Sequence, residues 1–293
     1  MDSLNNLTPT FSPRATDHIS EMLDIITDLV DSGYAYLADG HVLFSVASDS
    51  DYGQLSRRQS SELIAGARVN VASYKRNPED FVLWKPSAPE DPGWPSRYGR
   101  GRPGWHIECS AMSKKYLGNH FDIHGGGLDL IFPHHEAEIC QSYAADLCPP
   151  ANYWIHNNLI TIEGQKMGKS LNNFITLNEF FTGKHKKLGQ AFSPMVIRFF
   201  ILQAHYRSTI DFSNDALKAS QKGFKKLMTA VQKLNTLSAS KKSSYNVLNF
   251  EKKFFEAIND DFNTPILIAH LFDVVKFINS VEQLKLSLIH ISE

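Results

Sequence analysis

A chain of 293 residues with 42% hydrophobic and 21% charged content is long enough for two or three domains and has the balance of a soluble globular protein. Thirty basic against 31 acidic side chains leave a formal charge of −1, which excludes a globally basic nucleic-acid binder. No signal-peptide pattern or apolar run of about 18 residues is read, and Cys109, Cys140 and Cys148 do not make a disulfide framework, so the cytoplasm is the expected compartment.

Taken in chain order, Ser12-Pro13 followed by Ile19, Leu23, Ile26 and Val30 predicts a capped amphipathic helix that stops at Gly33. Tyr34–Leu37, the turn pair Asp39-Gly40 and Val42–Val46 predict a β-hairpin. Residues 73–103, rich in Pro, Arg, Trp and Gly, predict a loop-rich connection, and the strand–helix mixture from about 104 to 165 suits a parallel sheet. Within it, Phe121–His124 predicts the end of a buried strand. Gly125–Gly127 then predicts a turn open to close approach by a ligand, and Pro133 the first residue of a helix. Leu159–Ile162 predicts a strand running into Lys166-Met-Gly-Lys-Ser170. Beyond about 212 the pattern is helical, with Phe224, Leu227 and Val231 in one segment, Leu267, Leu271, Val274 and Ile278 in another, and a polar loop at Ser238–Ser244 between them. No repeat is found.

His134 and Glu138 stand four apart, on one face of a helix, as two metal ligands would. With Cys109 they offer imidazole, carboxylate and thiolate, a sound donor set for zinc. The plainer reading is a core cysteine beside a surface His–Glu pair. His135, three before Glu138, is an alternative to His134, while Cys140 and Cys148 read as packing residues. Lys166 and Lys169 flank a glycine and can hold a polyphosphate as charge moves to a leaving group, or form a basic surface turn. A P-loop is excluded, because Gly164 and Gly168 leave three intervening residues where that motif needs four. Trp105 and His106 either wall a small-molecule pocket or fill a core. His124 lies where a strand ends, the place at which open α/β sheets bind ligands. Asp129 suits ribose hydroxyls or a turn cap, and His156 is left open. Any RNA contact falls to local clusters: Lys184, Lys186 and Lys187; Lys222, Lys225 and Lys226; Lys241 and Lys242.

Eight segments, in order, resemble the cysteinyl-tRNA synthetases, a family of class I aminoacyl-tRNA synthetases. They are Pro13-Arg-Ala-Thr16, Asp80-Phe-Val-Leu-Trp-Lys85, Gly101-Arg-Pro-Gly-Trp-His-Ile-Glu-Cys109, Phe121-Asp-Ile-His-Gly-Gly-Gly127, Phe132-Pro-His-His-Glu136, Lys166-Met-Gly-Lys-Ser170, His205-Tyr-Arg-Ser208 and Asp260-Asp-Phe-Asn-Thr-Pro265. The resemblance implies an α/β fold: the second half of a class I Rossmann catalytic domain with an inserted α+β connective domain, followed by a partial α-helical bundle. Its boundaries would be a connective domain at 1–103, the Rossmann half at 104–165, the signature-loop domain at 166–211, the incomplete bundle at 212–285 and a non-native tail at 286–293.

The same resemblance implies activation of cysteine with ATP and Mg2+ to cysteinyl-adenylate, then transfer to tRNA(Cys), by a monomer with no membrane partner. One Zn2+ would sit on Cys109, His134 and Glu138, with a fourth ligand from an upstream cysteine, and bind the substrate's sulfur. Serine, lacking a soft donor, would be rejected without editing. Trp105 and His124 would lie near the amino acid, and Gly126, Gly127, Asp129 and Lys169 near ATP. Lys166 and Lys169 would be catalytic. Gly168 departs from the Ser of many members but keeps a backbone donor. The family's upstream His-x-Gly-His loop and its anticodon domain are not found in the sequence, which predicts an internal fragment that is inactive alone. Rival readings are a cysteine ligase of mycothiol synthesis and a non-catalytic zinc- or RNA-binding module.

Overall fold

The apolar stripe that begins at Ile19 sets the first long element. In the computed structural model, which describes residues 2–57, 72–236 and 246–283, helix α1 (Ile19–Asp31) buries Ile19, Met22, Ile25, Ile26 and Leu29. Ser12 does not cap it. The residue before the first turn is His18, whose Nδ1 is 2.8 Å from the Arg14 carbonyl oxygen and whose Nε2 is 2.9 Å from the Tyr116 hydroxyl. The helix stops as expected before Gly33, which takes φ +81°.

Strands β1 (Ala35–Ala38) and β2 (His41–Phe44) form the expected hairpin. Both turn residues, Asp39 and Gly40, have positive φ (47° and 74°), the signature of the tight turn that matches strand twist. The stretch 73–103 departs from the loop expectation by supplying β3 (Phe81–Pro86) and β4 (Gly101–Pro103), which complete an antiparallel sheet of order β1-β2-β3-β4. Its prolines are tolerated because Pro86 and Pro103 lie at strand ends and β4 is an edge. Met22, Ile26 and Leu29 pack with Phe44, Leu83 and Trp84 of this sheet and with Ile107 and Ala111 of helix α2 (Trp105–Leu117).

Asp80 anchors the sheet from within. Fully buried, it accepts hydrogen bonds from the Tyr36 hydroxyl (2.7 Å), the Val46 amide (3.0 Å) and the Asn77 amide (3.0 Å). Gly104 joins β4 to α2 and lies so close to the Val82 carbonyl that a Cβ there would collide with backbone. Its own amide donates to the Leu83 carbonyl at 2.8 Å, which fixes the approach. Gly104→Ala should therefore cost about 2–3 kcal/mol in a denaturant titration. A cost near zero would mean that α2 is free to shift.

Strand β5 (Phe121–Gly127) pairs with β6 (Ala151–Asn157), and helix α3 (Glu136–Asp146) lies between them in sequence. Two expectations are corrected here. Gly125–Gly127 belong to the strand, and the chain turns only at Leu128–Leu130. Pro133 does not start the helix: it lies in the wide turn Ile131–His135, with Phe132 extended, and α3 begins at Glu136.

The chain divides into two compact units, Pro9–His156, which holds the elements above, and Met1–Thr8 with Asn157–Glu293. In the second, β7 (Ile160–Ile162) pairs antiparallel with β8 (Gln165–Lys166) and parallel with β9 (Ile210–Phe212). Helices α4 (Leu177–Thr182), with a Thr176/Glu179 capping box, and α5 (Pro194–Leu202), capped by Ser193, bury Phe180, Val196 and Ile197 around that sheet. Helices α6 (Asn214–Leu234), α7 (Leu248–Asn259) and α8 (Thr264–Gln283) follow; α6 and α8 carry the two segments that the periodicity picks out, and α7 is a further helix between them. The loop expected at Ser238–Ser244 and the tail 286–293 lie outside the described residues. Asp261, in the α7–α8 turn, accepts from the Tyr206 hydroxyl and the Arg207 Nε, both at 2.6 Å, and so ties two of the sequence motifs together. Among the described residues no helix is long and apolar enough to cross a membrane.

Candidate metal centre and signature loop

Four short elements of the first unit converge their donors. Helix α2 starts at Trp105, so Trp105, His106 and Cys109 occupy its first turns, while His134 lies in the turn Ile131–His135 that runs into α3 and Glu138 in the first turn of α3. Ligand atoms of Cys109, His134 and Glu138 all lie within 4.8 Å of one another. The four-residue spacing brings His134 Nε2 to 3.0 Å from Glu138 Oε1. That oxygen is nevertheless buried without a hydrogen bond, so two lone-pair donors point at common space rather than at each other.

The rest of the site explains why His134 is available. Its Nδ1 meets His106 Nδ1 at 2.9 Å, a contact in which one ring must carry the proton. If His134 donates, its Nε2 carries a lone pair, and outer partners commonly fix a metal-ligating histidine this way. Burial and the neighbouring His134 hold His106 down to about 4, so it is neutral at pH 7. Trp105, 55% exposed, stacks on His134 with ring centroids 4.3 Å apart. Gln141, fully buried on α3, donates to the His106 carbonyl and to Ser110 Oγ, locking α2 against α3.

A second group shares Glu138. Ligand atoms of His124 on β5 and of His135 also lie within 4.8 Å of it, with His124 Nε2 3.5 Å from Glu138 Oε2. His135 Nδ1 meets His156 Nε2 of β6 at 2.8 Å. Burial first, then the rings of His124, His156 and His134, hold His135 down to about 3. The two candidates for one place in the donor set thus take different places, His134 beside Cys109 and His135 beside His124. Trp154, which the sequence reading passed over, stacks on His124 at 4.5 Å. It and His156 are two apart on one strand, and strand alternation was the available signal.

The Cys109 thiol is pushed up to about 12, by burial first and then by Glu138 and Glu108. A cation at this point reverses that order, because a metal ion displaces the thiol proton. A soft thiolate, an imidazole with a fixed outer partner and an orphaned buried carboxylate oxygen therefore fit a zinc ion. Glu136, although part of the same motif, faces elsewhere: it accepts from the amides of Gly53, Leu55 and Ser56 at 2.8–3.2 Å. Cys140 is buried, as expected, whereas Cys148 is half-buried and donates its thiol to the Asn119 carbonyl at 3.6 Å.

The glycines of β5 have a tertiary reason. A Cβ on Gly126 would lie 2.6 Å from the His135 ring, and one on Gly127 would lie 2.5 Å from Asp129 Oδ1. Asp129 itself is exposed in the turn after the strand.

In the second unit, Lys166 ends β8 and Lys169 begins a short turn of helix; both are exposed and form no ion pair among the described residues. Buried Asn173 brackets their loop, accepting from the Gly168 amide at 2.9 Å and donating to the Lys166 carbonyl at 3.0 Å. The backbone donor that Gly168 keeps is therefore taken up within the loop, by the Asn173 side chain. Asn173 is a positioning residue that its sequence context did not reveal.

Comparison with known proteins agrees with this geometry. Residues 1–222 match the family of class I tRNA synthetase (C) catalytic domains, and residues 253–290 match the DALR domain. A Bacteroides fragilis protein named Cysteine--tRNA ligase is 54% identical over 286 residues, which is 96% of this chain and 58% of the relative. One of the same name from Photorhabdus laumondii is 49% identical, over 96% of this chain and 59% of the relative. The chain thus spans about 58% of the length of these curated relatives. Solved structures share the fold: Mycobacterium tuberculosis methionyl-tRNA synthetase with methionyl-adenylate has a TM-score of 0.58 at 12% identity, covering 96% of this chain and 67% of its own. Plasmodium falciparum arginyl-tRNA synthetase has 0.55 at 11%, covering 99% and 50%. With an α/β fold, a match over residues 1–222 and curated relatives near half identity, the chain belongs to the class I tRNA synthetase (C) catalytic-domain family.

Proposed function

We propose that this chain is the cysteine-recognising and signature-loop part of a cysteine–tRNA ligase, a cytoplasmic monomer that activates cysteine with ATP and passes it to tRNA(Cys). One observation carries the reading: Cys109, His134 and Glu138 gather around a buried carboxylate oxygen that has no hydrogen bond. Zinc held there would supply a soft Lewis acid for the substrate's sulfur, a bond that serine cannot make. Trp105 and His124 flank the donors and would orient the amino acid. Gly126, Gly127 and Asp129 would receive the adenosine, with Asp129 accepting from ribose. The names of the relatives favour tRNA over an amino sugar as acceptor. The division into residues 1–103, 104–165, 166–211 and 212–285 is proposed on the same footing.

Lys166 and Lys169 would face the phosphates of ATP, with Mg2+ sharing the charge. Their charge matters most while negative charge moves onto pyrophosphate. In a chain carried to the full length of the Bacteroides fragilis relative, Lys169→Ala should raise the barrier of cysteine-dependent pyrophosphate exchange by about 2–4 kcal/mol, with the cysteine KM little changed. A change in KM alone would assign the lysine to cysteine binding instead.

The chain itself offers a test that needs no turnover. Titrated with a non-hydrolysable cysteinyl-adenylate analogue, it should bind, and should discriminate against the seryl analogue. Equal binding of the two would remove the thiolate-recognition reading.

A further inference from the structure

Glu136 stands midway between two of the candidate donors, two residues after His134 and two before Glu138. It is 1% exposed, and both its oxygens are taken by one loop of the same unit, residues 51–57. Oε1 accepts from the Gly53 and Leu55 amides at 3.0 and 3.2 Å, and Oε2 from the Ser56 amide at 2.8 Å. Among side chains, a carboxylate is the group that can accept from so many donors without presenting one of its own. Gly53 reaches its place with φ +100°, a conformation that a side chain resists. The same loop meets the motif a second time, where the Tyr52 ring lies edge-on to Phe132 with centroids 6.2 Å apart. His134 is thus flanked by two contacts with one loop. The backbone there needs such a brace. Helix α3 begins only at Glu136, and the turn before it is broken at Phe132 (φ −133°, ψ 132°), so regular helical bonding does not by itself direct His134. A buried carboxylate is weak evidence of added stability. What its three bonds supply is direction, because they tie the first turn of α3 to the loop.

We propose that Glu136 is a positioning residue of the metal centre, with loop 51–57 as the brace through which it holds His134 and Glu138 within reach of Cys109. The inference rests on the zinc reading above. Glu136 contributes no donor atom to the set, so its share of the metal affinity, and through it of thiolate recognition, is exerted entirely through the backbone on either side. Donors of a working site must be held to about 0.5 Å, and the groups that support them decide whether they are.

The test is the zinc affinity of the full chain, measured by competition with a chromophoric chelator, together with the absorption of the cobalt-substituted protein. Glu136→Ala should weaken zinc binding by about tenfold or more, as loss of an outer partner does. Its cobalt form should keep the charge-transfer band of Cys109, which lies on α2, while the ligand-field bands weaken as the site leaves tetrahedral geometry. Glu136→Gln keeps an acceptor for Gly53 and Leu55 but turns an NH2 group on the Ser56 donor, and should fall between. Gly53→Ala strains the loop and leaves the motif intact; it should act in the same direction, and it carries the test if Glu136→Ala does not fold. Tyr36→Phe loosens the sheet at Asp80, and should lower Tm while leaving zinc affinity and both sets of bands unchanged. A Glu136→Ala chain with lowered Tm but parental zinc affinity and ligand-field bands would overturn the inference. Cys109→Ala separates that result from failure of the zinc reading. If it strips zinc while the Glu136 and Gly53 variants do not, the metal centre stands and Glu136 has no part in it. Unchanged zinc in Cys109→Ala as well would remove the metal reading and the inference together.

Discussion

Cys109→Ala and Glu138→Ala are each expected to strip the purified chain of zinc. Each removes one of three donors that lie within 4.8 Å of one another. The loss should exceed the roughly 10–100-fold that an outer-shell partner is worth. His106→Phe supplies that smaller value, since it removes only the ring that meets His134 Nδ1 at 2.9 Å. The order of the three matters more than any single number. Zinc content after dialysis against a graded chelator should fall least for His106→Phe. Equal zinc in the parent chain and Cys109→Ala would remove Cys109 from the site. Affinity should also rise with pH, because burial and the neighbouring carboxylates keep the free thiol protonated up to about 12 and the metal must displace that proton.

Asp80→Ala should be among the most damaging single substitutions to stability. It orphans the Tyr36 hydroxyl and the Val46 and Asn77 amides in a fully buried place. Hydrogen bonds to a carboxyl group are worth more than average, and buried donors left unpaired add their desolvation. A loss of about 3–5 kcal/mol is expected, or roughly 10 °C in Tm if the unit melts cooperatively. Tyr36→Phe removes one of the three donors and should cost about 1 kcal/mol. Near-equal effects of the two would mean that the amides find other partners.

Local chemistry made some of this legible. Asp39-Gly40 announces its turn because few other pairs accept positive φ twice, and it takes 47° and 74°. His134 and Glu138 announce a shared face because helical spacing alone brings them to 3.0 Å. Where tertiary contact decides, the sequence misleads. Gly125–Gly127 look like a turn, yet they are strand, and what excludes a side chain at Gly126 is the His135 imidazole brought up from the turn before α3. Pro86 and Pro103 hide β3 and β4, because sequence patterns do not show which strand is an edge. Trp154 carries no signal of its own until β6 pairs with β5 and brings it against His124. Asn173 shows no role in its sequence context until its side chain is seen holding the lysine loop at both ends.

The most direct test of the central claim is the absorption spectrum of the cobalt-substituted chain, with and without cysteine. One thiolate donor, Cys109, predicts a modest thiolate-to-cobalt charge-transfer band that Cys109→Ala abolishes. Cysteine should then intensify the band by adding a second sulfur, and serine should leave it unchanged. A band that ignores cysteine, or responds equally to serine, would contradict a metal centre that reads the substrate's thiolate.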